Sequence, residues 1–249
     1  MMNRNTLITF FLLILTLSVA SAQTAGKEPR GHERKRETLS AGPTEGVDKE
    51  ESVARPRLVV GLVIDQMRWD YLYRYYENYG ENGFRRLLRE GFECRQTFIN
   101  YLPAYTAPGH ACIYTGSVPA IHGIVSNDWI DNRTGRWWYC TEDTTVRATG
   151  GHHKSGAMSP RNLLVTTITD ELKMTMGSRS RVYGLALKDR GAIIPAGHMA
   201  DGAFWFDDTT GQFITSSYYM SALPSWLRRF NERRLPDSLY VAGAEILFY

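Results

Sequence analysis

Leu7 to Val19 is an almost unbroken apolar run, preceded by a stretch whose only charge is Arg4 and followed by the small residues Ala20-Ser21-Ala22. A run of that length rises about 20 Å as a helix, short of the ~30 Å hydrocarbon core of a bilayer. The layout is that of a secretory signal peptide over residues 1–22, cleaved after Ala22, which sends the chain to the periplasm or outside the cell. Apolar positions then disappear. Residues 23–57 are rich in Lys, Arg, Glu and Gly with almost no large apolar side chain. They cannot bury enough surface to offset their ordering entropy and read as a disordered leader.

Apolar patterning resumes at Leu58-Val59-Val60-Gly61-Leu62-Val63-Ile64. A continuous run of branched residues predicts a strand buried on both faces of a parallel sheet, with Asp65 at its carboxyl end. Trp69 to Tyr76 and Phe84 to Arg89 predict short amphipathic helices, Gly91 closing the second, and Phe92 to Ile99 predicts the next strand. Strand, helix and strand in that order imply a right-handed crossover. Further on, a helix over about Arg161 to Met176, ended by Gly177, leads into a strand over Arg181 to Leu187. Two turn-rich strings, Asp131-Asn132-Arg133-Thr134-Gly135 and Asp207-Asp208-Thr209-Thr210-Gly211, sit between short aromatic runs and predict hairpins. Residues 58–249 thus read as one α/β domain.

Composition narrows the function. Lys plus Arg outnumber Asp plus Glu by 29 to 26, a surplus too small to argue for a nucleic-acid polymer or a membrane surface as partner. Cys94, Cys112 and Cys140 lack the C-x-x-C spacing of a zinc knuckle and permit one disulfide at most. The string Gly150-Gly151-His152-His153-Lys154-Ser155 lacks the spacing of a phosphate loop, and neither a G-x-S-x-G elbow nor an H-E-x-x-H helix occurs. His110, His122 and His198 are expected to be structural hydrogen-bonding groups.

The chemistry concentrates in Asn100-Tyr101-Leu102-Pro103-Ala104-Tyr105-Thr106-Ala107-Pro108-Gly109-His110-Ala111-Cys112-Ile113-Tyr114-Thr115-Gly116. Thr106 is placed as a helix N-cap, Pro108 falls in the first turn and Gly116 is the stop. A hydroxyl at a helix start faces unpaired backbone donors and the positive end of the dipole, a setting that suits phosphate. A threonine attacks only when its proton is removed, and a divalent ion shared with Asp65 is one way to do that.

These residues belong to a set of strings that together resemble the alkaline phosphatase superfamily, most closely its phosphate-irrepressible secreted branch with a threonine nucleophile. The strings are Val63-Ile64-Asp65-Gln66-Met67-Arg68-Trp69-Asp70-Tyr71-Leu72, the Thr106 segment, Pro119-Ala120-Ile121-His122-Gly123-Ile124-Val125-Ser126-Asn127 and Leu187-Lys188-Asp189-Arg190-Gly191. The resemblance implies a doubly wound, mostly parallel sheet with helices on both faces, and small-molecule phosphate esters as substrates. It implies a two-zinc site with Asp65 as a ligand of one zinc, and Thr106 as the nucleophile on that same zinc. It also implies Asn127 as a donor to a phosphoryl oxygen, and Lys188 and Arg190 as the pair that grips the other oxygens. Two cations just past a strand end suit the extra charge of a monoester over a diester.

The other aspartate and histidine ligands implied by the resemblance have no match before Tyr249, and Glu245-Ile246-Leu247-Phe248-Tyr249 is an apolar finish. The chain is therefore expected to be a truncated or frameshifted amino-terminal portion of such an enzyme. A nucleotide pyrophosphatase or phosphodiesterase on the same scaffold, and a non-catalytic fragment, are the alternative readings.

Overall fold

The computed structural model describes residues 56–241. The expected signal peptide, nearly all of the leader and the apolar finish lie outside the described residues. The chain divides into two compact units at Gln96/Thr97.

The first unit holds helices α1 (Tyr71–Arg74) and α2 (Phe84–Glu90), with a 3-10 turn at Tyr76–Asn78 between them. Gly91 N–H closes α2 on the Leu87 carbonyl at 2.9 Å. Arg85 joins the two helical segments by ion pairs to Glu81 at 2.7 Å and Glu77 at 3.2 Å. The strand expected over Leu58 to Ile64 does not form, and neither does the one over Phe92 to Ile99. Leu58, Leu62, Phe92 and Phe98 are exposed rather than buried. Branched and aromatic residues suit a pleated surface, but a strand also needs a ladder partner, and these runs pair with none among the described residues. The crossover built on them is corrected accordingly.

The second unit is the α/β body. Its helices are α3 (Thr106–Thr115), α4 (Pro119–His122), α5 (His153–Gly156), α6 (Ile168–Met176), α7 (Asp189–Ala196), α8 (Ser225–Asn231) and α9 (Leu235–Val241). Strands β1 (Asp128–Ile130) and β2 (Trp137–Tyr139) form a separate hairpin. A four-stranded sheet runs in the order β3 (Ala148–Thr149), β6 (Gln212–Ser216), β5 (Gly202–Asp207), β4 (Tyr183–Ala186). Only β4 and β5 are parallel in it, with Gly184 opposite Ala203; the other two pairings are antiparallel.

Both hairpins turn by one device. Asp131 accepts Arg133 N–H on its side chain at 2.9 Å and Gly135 N–H on its carbonyl at 2.7 Å. Asp207 does the same for Thr209 at 3.2 Å and Gly211 at 2.8 Å. Side-chain acceptance two residues on is what an aspartate offers a turn.

Alternation along β5 and β6 gives the sheet two apolar faces. Ala203, Trp205 and Ile214 pack against Ala192, Ile193 and Ala196 of α7. On the other face Phe204 meets Trp226 of α8, ring centroids 5.2 Å apart. Helices therefore cover both faces. The approach of α7 is close: a Cβ at Gly184 would stand 2.1 Å from the Ala192 carbonyl oxygen. The helix expected over 161–176 begins later. A 3-10 turn occupies Pro160–Asn162, and α6 starts at a capping box in which Thr167 accepts Asp170 N–H and Asp170 accepts Thr167 N–H. Reciprocal side-chain caps of this kind fix a helix start more firmly than periodicity does.

Candidate active site

Thr106 is the first residue of α3; the capping position belongs to Tyr105, whose backbone is extended, and the helix stops at Gly116 in the left-handed region at φ 65°. The expectation that Thr106 is itself the N-cap is thus corrected by one residue. The cap is supplied from a distance, because Asn127 Oδ1 accepts Ala107 N–H at 2.9 Å. That bond fixes the amide: its carbonyl is committed to the helix, so its NH2 is the end left to donate.

Asn127 is held in turn. Its carbonyl accepts Cys140 N–H at 2.9 Å, extending the β1–β2 ladder by one pair. Cys140, Ala107, Ala111, Ile124, Leu163 and Ile194 share one buried cluster, with Tyr139 packed against it. Residues of α3, of the strand after Asn127 and of α7 therefore meet in one core.

Lys188 and Arg190 flank the start of α7 just past the carboxyl end of β4. Lys188 is exposed. Arg190 is half-buried, and its Nη1 donates to the Tyr139 hydroxyl at 2.8 Å. The Tyr139 hydroxyl donates to Asp189 Oδ1 at 2.8 Å, and Thr141 donates to Asp189 Oδ2. Burial works against the Arg190 charge, but Tyr139 and Asp189 outweigh it and hold the guanidinium more firmly protonated than usual. Burial and the Asp189 charge push the Tyr139 hydroxyl well up, so it stays protonated. The same two causes push the Cys140 thiol up to about 12, which removes it as a nucleophile.

Tyr139, Thr141 and Asp189 were not singled out from the sequence; a tyrosine in a hairpin strand and an aspartate between two cations give no signal of pairing across some fifty positions. Tyr139→Phe keeps the ring and removes both hydrogen bonds. It should lower phosphate-analogue affinity by about tenfold, the worth of one charged hydrogen bond, while thermal unfolding shifts little. Titration calorimetry with inorganic phosphate reads this.

The histidines behave as expected. His110 Nδ1 bonds the Thr106 carbonyl at 2.8 Å, and a Cβ on Gly191 of α7 would stand 3.7 Å from its other ring nitrogen. His122 accepts Ile124 N–H at 3.1 Å, which leaves the opposite nitrogen to face Cys112 Sγ at 3.3 Å. His198 bridges Asp170 at 3.2 Å and the Leu163 carbonyl at 2.9 Å. Cys112 and Cys140 are thiols, not half-cystines.

Asp65 belongs to the first unit. It caps no helix; Asp70 precedes α1, and Asp65 Oδ1 accepts the N–H of Gln66, a residue at φ 61°. As zinc donors, Asp65 and Thr106 are of the right type, but two oxygens fill half of a four-coordinate site. No group of three or more His, Cys, Asp and Glu side chains gathers among the described residues. These residues alone do not fit a zinc site.

An α/β body with helices on both faces of its sheet fits the alkaline phosphatase superfamily. Within it, the chain belongs to the type I phosphodiesterase / nucleotide pyrophosphatase family, whose model matches residues 59–241. It is 57% identical over 198 residues to a protein of Myroides odoratus named calcium-transporting ATPase, covering 80% of this chain and 36% of that one. It is 57% identical to alkaline phosphatase PhoV of Synechococcus elongatus over 76% of this chain and 34% of the relative. The crystal structure of alkaline phosphatase PafA, an enzyme of Elizabethkingia meningoseptica, superposes with a TM-score of 0.74 at 54% identity, covering 76% of this chain and 37% of that one. The chain thus spans about a third of the length of these relatives. A solved PafA variant, TM-score 0.76, carries replacements of one threonine, one asparagine, one lysine and one arginine. Its threonine and asparagine are as far apart as Thr106 and Asn127, and its lysine and arginine are separated by one residue, like Lys188 and Arg190. Among the described residues no helix is long and apolar enough to cross a membrane.

Proposed function

We propose that this chain carries the nucleophile and the phosphate grip of a phosphate monoesterase acting on small-molecule esters. The observation that carries the reading is the Asn127–Ala107 bond, which sets an amide donor beside the residue that follows Thr106. In the reaction, Thr106 Oγ gives its proton to solvent water and forms a bond to phosphorus. The ester P–O bond breaks, its electron pair goes to the leaving oxygen, and that oxygen takes up a proton. Water then attacks the phosphothreonine, the P–Oγ bond breaks with its electron pair going to Thr106 Oγ, that oxygen takes up a proton from solvent, and phosphate is released. The Asn127 NH2 donates to an equatorial oxygen, and Lys188 and Arg190 balance the charge of the dianion. The spacing shared with the PafA variant supports these four assignments.

Zinc enters this reading only through its donors Asp65 and Thr106, each of an oxygen type that zinc accepts; no step above depends on it. Export to the periplasm or beyond rests on the Leu7 to Val19 pattern.

The phosphodiesterase alternative is favoured by the name of the matching family, and the two cations speak against it. Paired assays with p-nitrophenyl phosphate and bis-p-nitrophenyl phosphate separate the two. The monoester should be the better substrate, and Lys188→Ala should cost it about a hundredfold in kcat/KM with a much smaller effect on the diester. A diester preference in the parent protein would overturn the monoesterase reading.

A further inference from the structure

A cleft of about 840 Å³ opens at the carboxyl ends of β4 and β5, where ligands of α/β sheets bind. Lys188 and Arg190 line it, together with Leu187, Phe206, Phe213 and Phe230. The walls are built firmly. Phe206 N–H donates to the Leu187 carbonyl at 3.3 Å, tying the residue before Lys188 to the first aromatic. Phe206 and Phe213 face each other across β5 and β6, ring centroids 5.6 Å apart at 66°, and Phe230 stands 5.8 Å from Phe213 at 74°. Asn231 locks α8 to the sheet by giving to the Phe213 carbonyl at 2.8 Å and taking its N–H at 2.9 Å.

The cleft sets two cations, Lys188 and Arg190, beside two carboxylates, Asp189 and Asp208. Both Asp189 oxygens are occupied by Tyr139 and Thr141, which leaves the exposed Lys188 to face the opening. Asp208 is an exposed carboxylate in the lining. Pockets of this size with mostly apolar walls and a few polar groups hold small organic ligands. Edge-to-face rings present partly positive edges and negative faces, which receive a further ring better than an alkyl chain.

We propose that this cleft is the leaving-group subsite of the monoesterase, and that the alcohol it takes is aryl. The inference rests on the phosphate monoesterase reading. A phosphate ester of a phenol would set its dianionic end against Lys188 and Arg190 and its ring against Phe206, Phe213 and Phe230. The aromatic trio is then the element that selects among monoesters, and Lys188 serves all monoesters alike.

The test is titration calorimetry of the full chain with phenylphosphonate and methylphosphonate, which have no ester bond to hydrolyse. Phenylphosphonate should bind about tenfold more tightly, the gain expected from burying one ring against aromatics. Phe230→Ala, at a side chain already 37% exposed, should erase that preference, and Phe213→Leu should do the same without leaving a large void. Lys188→Ala should weaken both ligands. Equal affinities in the parent chain, or a preference that survives both phenylalanine variants, would overturn the aryl subsite and leave the phosphate grip standing. Absence of binding by either phosphonate would overturn the monoesterase reading itself, and the subsite with it.

Discussion

Thr106→Ala is expected to abolish ester hydrolysis, with kcat lower by on the order of 10³-fold or more, because removal of a covalent nucleophile leaves only binding and electrostatic stabilisation. The fold should be indifferent. Thr106 is the first residue of α3, a position whose N–H needs no intrahelical partner, and the Asn127 bond to Ala107 N–H remains. Thermal unfolding of the variant should match the parent within a few degrees. The decisive measurement is a rapid acid quench with p-nitrophenyl phosphate followed by mass analysis: the parent should carry a phosphoryl group on Thr106, and the alanine variant none. Thr106→Ser restores a hydroxyl and should restore the adduct. Hydrolysis persisting in the alanine variant would refute the nucleophile assignment, along with the mechanism written for it.

The largest effect expected on stability falls at Asp170. Its side chain is 1% exposed and accepts Thr167 N–H at 3.0 Å, the Thr167 hydroxyl at 3.0 Å and Met199 N–H at 2.7 Å, with His198 at 3.2 Å. Burial alone would raise its pKa, but His198 and the Thr167 and Met199 donors outweigh burial and hold the carboxyl at about 2. Asp170→Asn puts an NH2 where one of these donors points. It should cost about 3 kcal/mol, the loss of a charged acceptor together with an unpaired buried donor, read by urea denaturation. The pH profile has two limbs. A depressed carboxylate contributes stability that is present above its ordinary pKa near 4 and lost as the pH falls toward 2, worth about 2 kcal/mol for this shift. His198, raised chiefly by its bond to Asp170, contributes below its ordinary value of 6.5, and that contribution is lost as the pH rises through its raised folded value. The parent should gain stability on both sides toward the interval between those limits; in Asp170→Asn both limbs should flatten.

Local chemistry was legible where a side chain completes its own turn. Gly116 ends α3, Gly91 ends α2, and the Asp131 and Asp207 strings turn as read, because each needs only its neighbours. The strands over Leu58 to Ile64 and Phe92 to Ile99 were misread for the complementary reason: their apolar pattern specifies a preference, and a ladder has to be supplied by another segment. Thr106 and Asn127 could be named from short strings, yet the bond that joins that helix to Asn127 spans twenty positions. The Tyr139–Asp189–Arg190 network spans fifty, and no periodicity reports a contact of that range. Phe206 on β5 and Phe213 on β6 hold places in the same alternation as core residues, so pattern alone does not distinguish a wall from a filling.

The outermost position of β4 has a practical corollary. Among the described residues its far margin meets no other strand, and its Tyr183 and Leu185 are 61% and 65% exposed. Such a margin is a template on which a second molecule can extend the ladder. Concentrated preparations of this chain should therefore grow heavier with protein concentration in light scattering, and a lysine at Leu185 should keep them monodisperse.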